Sequence, residues 1–214
     1  MTRWERLAPQ SGIVAVIALV GSTLFIGFYE YVPASETIRD PLMDTPTNVP
    51  IGADLGMFGA VALLWFAGSV RAMLRTAEGG TGRVSAIAFG GGVATGTLMI
   101  GAYSAMLASS VRAGADGGIS GEAATILYDL ASTIQGVGMA YAMAAFVGGF
   151  AVVAFRTGVA ARWLAWVSAV IAIGLVTPVS YAVLGFGFLW VAYVSALAYT
   201  EGRRAGATSA SHPM

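Results

Sequence analysis

The chain has 214 residues, 57% hydrophobic and 10% charged, with a formal net charge of zero and a mean hydropathy of +0.77. A soluble domain carries about 25% charged residues to solvate its surface, so the outside of this molecule must itself be apolar and its solvent lipid. Cysteine is absent and the only histidine, His212, lies in the polar tail GATSASHPM, which removes disulfides, thiolate–metal sites, His-ligated haem and Ser–His or Cys–His pairs from the apolar body.

A hydrocarbon core about 30 Å thick needs roughly 20 apolar residues per helix. Five apolar stretches meet or approach that length, and the last divides into two. The first runs over 11–31; its length exceeds the 7–15 residues of a signal h-region, so a retained span is expected despite the VPA sequence at Val32–Ala34. The outer loop VPASETIRDPLMDTPTNVP, with its four prolines, is expected to be ordered and non-helical. The second and third spans cover 52–74 and 84–111, joined by TAEGGTGR. The fourth, 122–155, follows the glycine-rich turn RAGADGGISGEA, with Ser120 placed to cap it and Glu122 in its first turn. From Trp163 to Tyr199 the apolar run is too long for one helix, and Thr177-Pro178 breaks it into spans at 163–179 and 182–200. Residues 1–204 thus read as one all-α, six-helix transmembrane domain, with 205–214 a disordered tail.

Charge sets the expected orientation. Every basic residue is arginine. With the N-terminus inside, Arg3, Arg6, Arg71, Arg75, Arg83, Arg156, Arg162, Arg203 and Arg204 fall inside and only Arg39 and Arg112 outside. Glu5, Glu78 and Glu201 are the inner acids; the other eight lie outside or at the outer boundary. Both termini are expected in the cytoplasm.

The stretch Ile126–Gly136, ILYDLASTIQG, puts a carboxylate at the front of an apolar run. An ionisable residue within a membrane marks a functional site by default. Counting about 20 residues back from Arg156 puts the hydrocarbon edge at Gln135, and at 1.5 Å per residue Asp129 lies on the order of 9 Å farther out. Asp129, Ser132 and Gln135 recur every three residues on one arc of that helix, and Arg112 ends the preceding one. The expected arrangement is an Asp129–Arg112 ion pair holding a helical hairpin. The alternative groups Asp129 with Glu30 and Asp54 in an acidic mouth that attracts cations. Oxygen ligands at Asp40, Asp44, Thr45, Thr47 and Asn48 lack EF-hand spacing, so no metal is expected. Tyr128-Asp129 matches half of the intramembrane aspartyl protease signature, but no later GxGD accompanies it. No cofactor and no catalytic set emerges.

Gly52/Gly56 and Gly92/Gly96 stand at the GxxxG spacing that lets helix backbones approach. Internal packing is their expected role, with a homo-oligomer or membrane partner as the alternative. Trp4, Trp163 and Trp166 suit an inner aromatic belt, while Trp65 and Trp190 are expected in the packing. The runs LRTAEGGTGRVSAIAFGGGV (Leu74–Val93), ARWLAWVSAVIAIGLV (Ala161–Val176) and GFGFLWVAYVSAL resemble a broad group of actinobacterial multi-pass membrane proteins of unknown function. That resemblance implies a bacterial plasma membrane and six spans, and lends no activity or site.

The sequence therefore points to a non-enzymatic membrane protein of structural or accessory type, partnered by the bilayer and not by nucleic acid. The alternative is a transporter or channel for a small solute or cation, using the acidic mouth.

Overall fold

The computed structural model describes residues 8–26, 48–113 and 120–210, and all regular structure among them is helical. A 3₁₀ turn, Ala8–Gln10, leads into α1 (Ser11–Ile26). Then follow α2 (Asn48–Glu78), α3 (Arg83–Ala113), α4 (Gly121–Thr133), a π-helical segment (Ile134–Gly138), α5 (Met139–Thr157), α6 (Arg162–Leu175) and α7 (Ser180–Ala210). The helix α4, the π segment and α5 form one uninterrupted rod, Glu122–Thr157. Five helices are long and apolar enough to cross a membrane, and α6 is a shorter apolar helix. At 14 residues α6 is about 21 Å long, short of a hydrocarbon core on its own.

The helices close a ring, with α1 beside α2, then α3, α5, α6, α7 and back to α1. Its outside is apolar. Leu24 (77%), Trp65 (69%), Val170 and Leu189 all face away from the bundle, more apolar surface than a soluble monomer leaves exposed. The described residues form an all-helical bundle with the length and apolar surface of a membrane-embedded protein. Its midsection is filled by Phe66, Phe146, Phe150 and Trp190. Phe66 meets Phe146 edge-on at 6.0 Å, and Trp190 meets Phe146 and Phe150 edge-on at 5.5 and 5.1 Å. The indole Nε1–H of Trp190 donates to Ser168 Oγ at 2.8 Å, and that hydroxyl donates to the Leu164 carbonyl at 2.7 Å. Ser195, midway along α7, donates to the Pro9 carbonyl and ties α7 to the start of the described chain. Trp65, expected in the packing, instead faces outward, because its position on α2 lies opposite the buried Leu63 and Phe66.

The connections follow local chemistry. Between α2 and α3, Gly79, Gly80 and Gly82 adopt φ of 63°, 54° and 61°, which a side chain would strain. Glu78 ends α2 beyond its hydrocarbon portion, and its carboxylate accepts from the Val84 and Ser85 amides at 2.9 and 2.8 Å, capping α3. These two amide hydrogen bonds hold the Glu78 carboxyl below its ordinary value of 4.5. Arg71 lies over the Phe89 ring at 4.8 Å and clamps the same hairpin. Ser120 caps α4, accepting from the Ala123 amide at 3.3 Å. The break expected at Thr177-Pro178 is present: Thr177 Oγ1 donates to the Gly174 carbonyl at 2.6 Å, and α7 starts at Ser180. Two boundaries differ from expectation. The helix α2 begins at Asn48, so Pro50 sits in a first turn that needs no amide from it. The helix α7 continues to Ala210, through residues expected to be tail. Residues 27–31 of the first span and the four-proline loop up to residue 47 lie outside the described residues.

Candidate functional site

The residues singled out from sequence part company. Asp129, Arg112 and Asp54 are all exposed, and Glu30 lies outside the described residues. The α3–α4 register does not bring Arg112 and Asp129 together. Ser109 Oγ on α3 donates to the Ala124 carbonyl on α4 at 3.3 Å, and in an antiparallel pair this puts Arg112 beside residue 121. Asp129 is eight residues farther along, roughly 12 Å away at 1.5 Å per residue. Asp129 therefore lies opposite Ser104, about two turns back along α3 from Arg112.

Gln135 and Ser132 belong to something else. Gln135 Nε2 donates to the Tyr103 hydroxyl at 3.2 Å. Tyr103, on α3, is only 3% exposed and lies against α2 at Gly56, where an added Cβ would sit 2.3 Å from the ring. Ser22 on α1 faces the same hydroxyl, yet its fully buried Oγ completes no hydrogen bond. On the other side of the rod, the Tyr181 hydroxyl donates to the Ser132 carbonyl at 3.0 Å, and Ser180 Oγ reaches the Gly136 carbonyl at 3.5 Å. Groups from α1, α3, α4, the π segment and α7 therefore meet at one level. Counting from Arg83, that level is about 30 Å from the arginine-bearing end, at the far edge of a hydrocarbon core.

The π segment positions the cluster. Its sequence, IQGVG, carries two glycines, and the Met139 amide bonds back to the Ile134 carbonyl, five residues earlier. One residue more per turn rotates the side chains before it against those after it, and such bulges concentrate at functional sites. Gly136 lies so close to Tyr181 that a Cβ would fall 1.8 Å from the ring. That ring fills the place where α4 and α5 change phase.

Hydroxyls and a carboxamide make up the cluster. They can donate and accept hydrogen bonds. Among the described residues no three carboxylates, histidines or cysteines lie close enough to hold a metal ion. No protein-family model, no curated protein and no solved structure matches the chain.

The four predicted packing glycines all face inward. A Cβ on Gly52 would meet Ile26 at 2.5 Å, one on Gly92 would meet Ala67 at 2.7 Å, and one on Gly96 would meet Leu64 at 2.7 Å. Gly56 has the more specific task of seating Tyr103. Sequence reading missed Tyr103, Ser22 and Tyr181. Their signal was faint: single polar groups in apolar helices, without the spacing that ties Asp129, Ser132 and Gln135 to one face.

Proposed function

We propose that the chain crosses a bacterial plasma membrane six times, with the arginine-bearing end and both termini in the cytoplasm. It works there as a non-enzymatic structural or accessory protein, through helix packing with itself or a membrane partner. The observation that carries this reading is the filled midsection, where Phe66, Phe146, Phe150 and Trp190 occupy the centre of the ring. A second observation supports it: Gly90, Thr97, Gly101 and Ser104 form an exposed file along α3, and no atom approaches within 4 Å of a Cβ on Gly90 or Gly101. Small outward residues of this kind let a second helix come close.

The chain lacks cysteine, so each introduced cysteine is unique. Thr97→Cys should cross-link to a second copy or a partner helix in native membranes, whereas Val170→Cys on α6 should not. Equal behaviour at both positions refutes packing through α3. For the threading, a membrane-impermeant maleimide should label Ser120→Cys in intact cells and Thr81→Cys only after permeabilisation.

The transport reading has one favourable observation, the polar cluster at the π segment. Proteoliposome flux of protons or small cations decides it. Flux in the wild type that falls in Asp129→Asn or Gln135→Leu would displace the accessory reading.

A further inference from the structure

A crevice of about 130 Å³ opens at the arginine-bearing end, between α2, α5, the turn after α5, α6 and α7. Its walls include Met73, Phe150, Val159, Leu164, Val194 and Leu197. An apolar cavity near 150 Å³ stays dry and accepts a benzene-sized guest, so this one suits a short stretch of hydrocarbon. In a bilayer the hydrocarbon at hand is the acyl chain. The rim differs from the walls. Ala160 and Ala161 line the crevice and lead directly into Arg162, while Arg156 ends α5 on the other side of the same turn; both arginines are exposed. Glu78 holds the Val84 and Ser85 amides on the α3 side and also faces the Arg156 charge, which leaves Arg162 as the cation next to the crevice. Apolar walls beneath a cationic rim mirror a lipid with an anionic head.

We propose that this crevice seats part of one acyl chain of an anionic phospholipid, whose phosphate rests on Arg162. The site is independent of the accessory reading and survives its failure. That arginine gives roughly a fivefold preference for an anionic over a zwitterionic head group.

The test reconstitutes the full chain into vesicles of equimolar phosphatidylglycerol and phosphatidylcholine, then reads retained lipid by native mass spectrometry. The wild type should keep one phosphatidylglycerol. Ala160→Trp fills the crevice from the turn and Ala198→Phe from α7, with every arginine in place. Whichever variant keeps wild-type helical circular dichroism should lose the retained lipid. Retention after filling would mean that the arginines merely attract surrounding lipid, and would overturn the site. Arg162→Gln should reduce the preference several-fold; an unchanged preference removes the phosphate assignment. Inorganic phosphate added to the wild type should displace nothing. Displacement would point to a free-anion site and refute acyl-chain seating, even if both filling variants misfold.

Discussion

Trp190 is the sharpest place to probe what holds the bundle together. Within lipid, burial of apolar groups gives helices little reason to associate, so packing and hydrogen bonds must do it. Trp190 contributes both. Its two edge-on contacts, at 5.5 and 5.1 Å, are worth about 0.5–1.5 kcal/mol each. Its bond to Ser168 adds about 0.6 kcal/mol, with a ceiling near 1.7 for interhelical bonds in membranes. Trp190→Ala also leaves a cavity, and large-to-small changes at such sites cost about 3–5 kcal/mol. Trp190→Phe retains a ring and removes the donor, so its cost should be close to 1 kcal/mol. Ser168→Ala leaves the indole N–H buried without a partner and should cost about 1–3 kcal/mol. In the Trp190→Phe background that penalty should nearly vanish, because the remaining Ser168 bond runs only to its own helix at Leu164. The four proteins form a double-mutant cycle, read by denaturant unfolding in lipid–detergent mixed micelles with far-ultraviolet circular dichroism. Equal cost of Ser168→Ala in both backgrounds would refute the coupling. A Trp190→Ala cost below about 1 kcal/mol would refute the aromatic centre as the bundle's main support.

Adjacent glycines on α3 should respond with opposite signs. A Cβ on Gly91 would lie 2.5 Å from the Phe146 amide nitrogen and 2.8 Å from the Ala142 carbonyl. These are backbone atoms that cannot turn aside, so Gly91→Ala should cost at least about 1–3 kcal/mol. Gly90 meets open space, so Gly90→Ala should stabilise by about 0.5–1 kcal/mol in the same unfolding assay. Gln135→Leu should cost about 1 kcal/mol through loss of the Tyr103 bond, and should cost nothing further in Tyr103→Phe. Glu78 predicts a pH dependence. Its folded carboxyl titrates below the ordinary value of 4.5 because the charged form holds two amides, so its contribution is complete above pH 4.5 and fades as pH falls through the folded value. Glu78→Gln should flatten that acid limb of thermal stability, while a limb of unchanged steepness would show that other carboxylates produce it.

Most of the helical frame was legible in the sequence, because it rests on local chemistry. Apolar runs of spanning length gave the helices, Thr177-Pro178 gave the break between α6 and α7, and Ser120 gave a cap. Relations between helices were far less visible. Asp129 and Arg112 read as neighbours from their distances to separate membrane edges, and the α3–α4 register set by Ser109 and Ala124 separates them. Trp65 and Trp190 carry the same residue type in similar apolar surroundings, yet one faces outward and the other anchors the centre. Nothing within a few residues of either tells them apart. In a membrane protein both faces of a helix are apolar, so the alternation that sorts inside from outside in a soluble helix is largely lost.

That loss of contrast gives the small polar residues their meaning. Ser22, Tyr103 and Gln135 would be ordinary near water, but in apolar helices each needs a partner, and two of them find one another across α3 and the π segment. Ser22 is the exception, fully buried with its hydroxyl unpaired, a state that costs about 1–3 kcal/mol. If that hydroxyl serves only to fill space, Ser22→Ala should stabilise the bundle, since it removes a desolvated donor and leaves the Gln135–Tyr103 bond in place. If instead Ser22 exchanges hydrogen bonds with the Tyr103 hydroxyl as the helices move, the same change should destabilise, and Tyr103→Phe should abolish the difference between Ser and Ala. The static arrangement favours the first outcome. Destabilisation by Ser22→Ala would show that the cluster is a mobile network, and would shift weight from packing towards binding at the π segment.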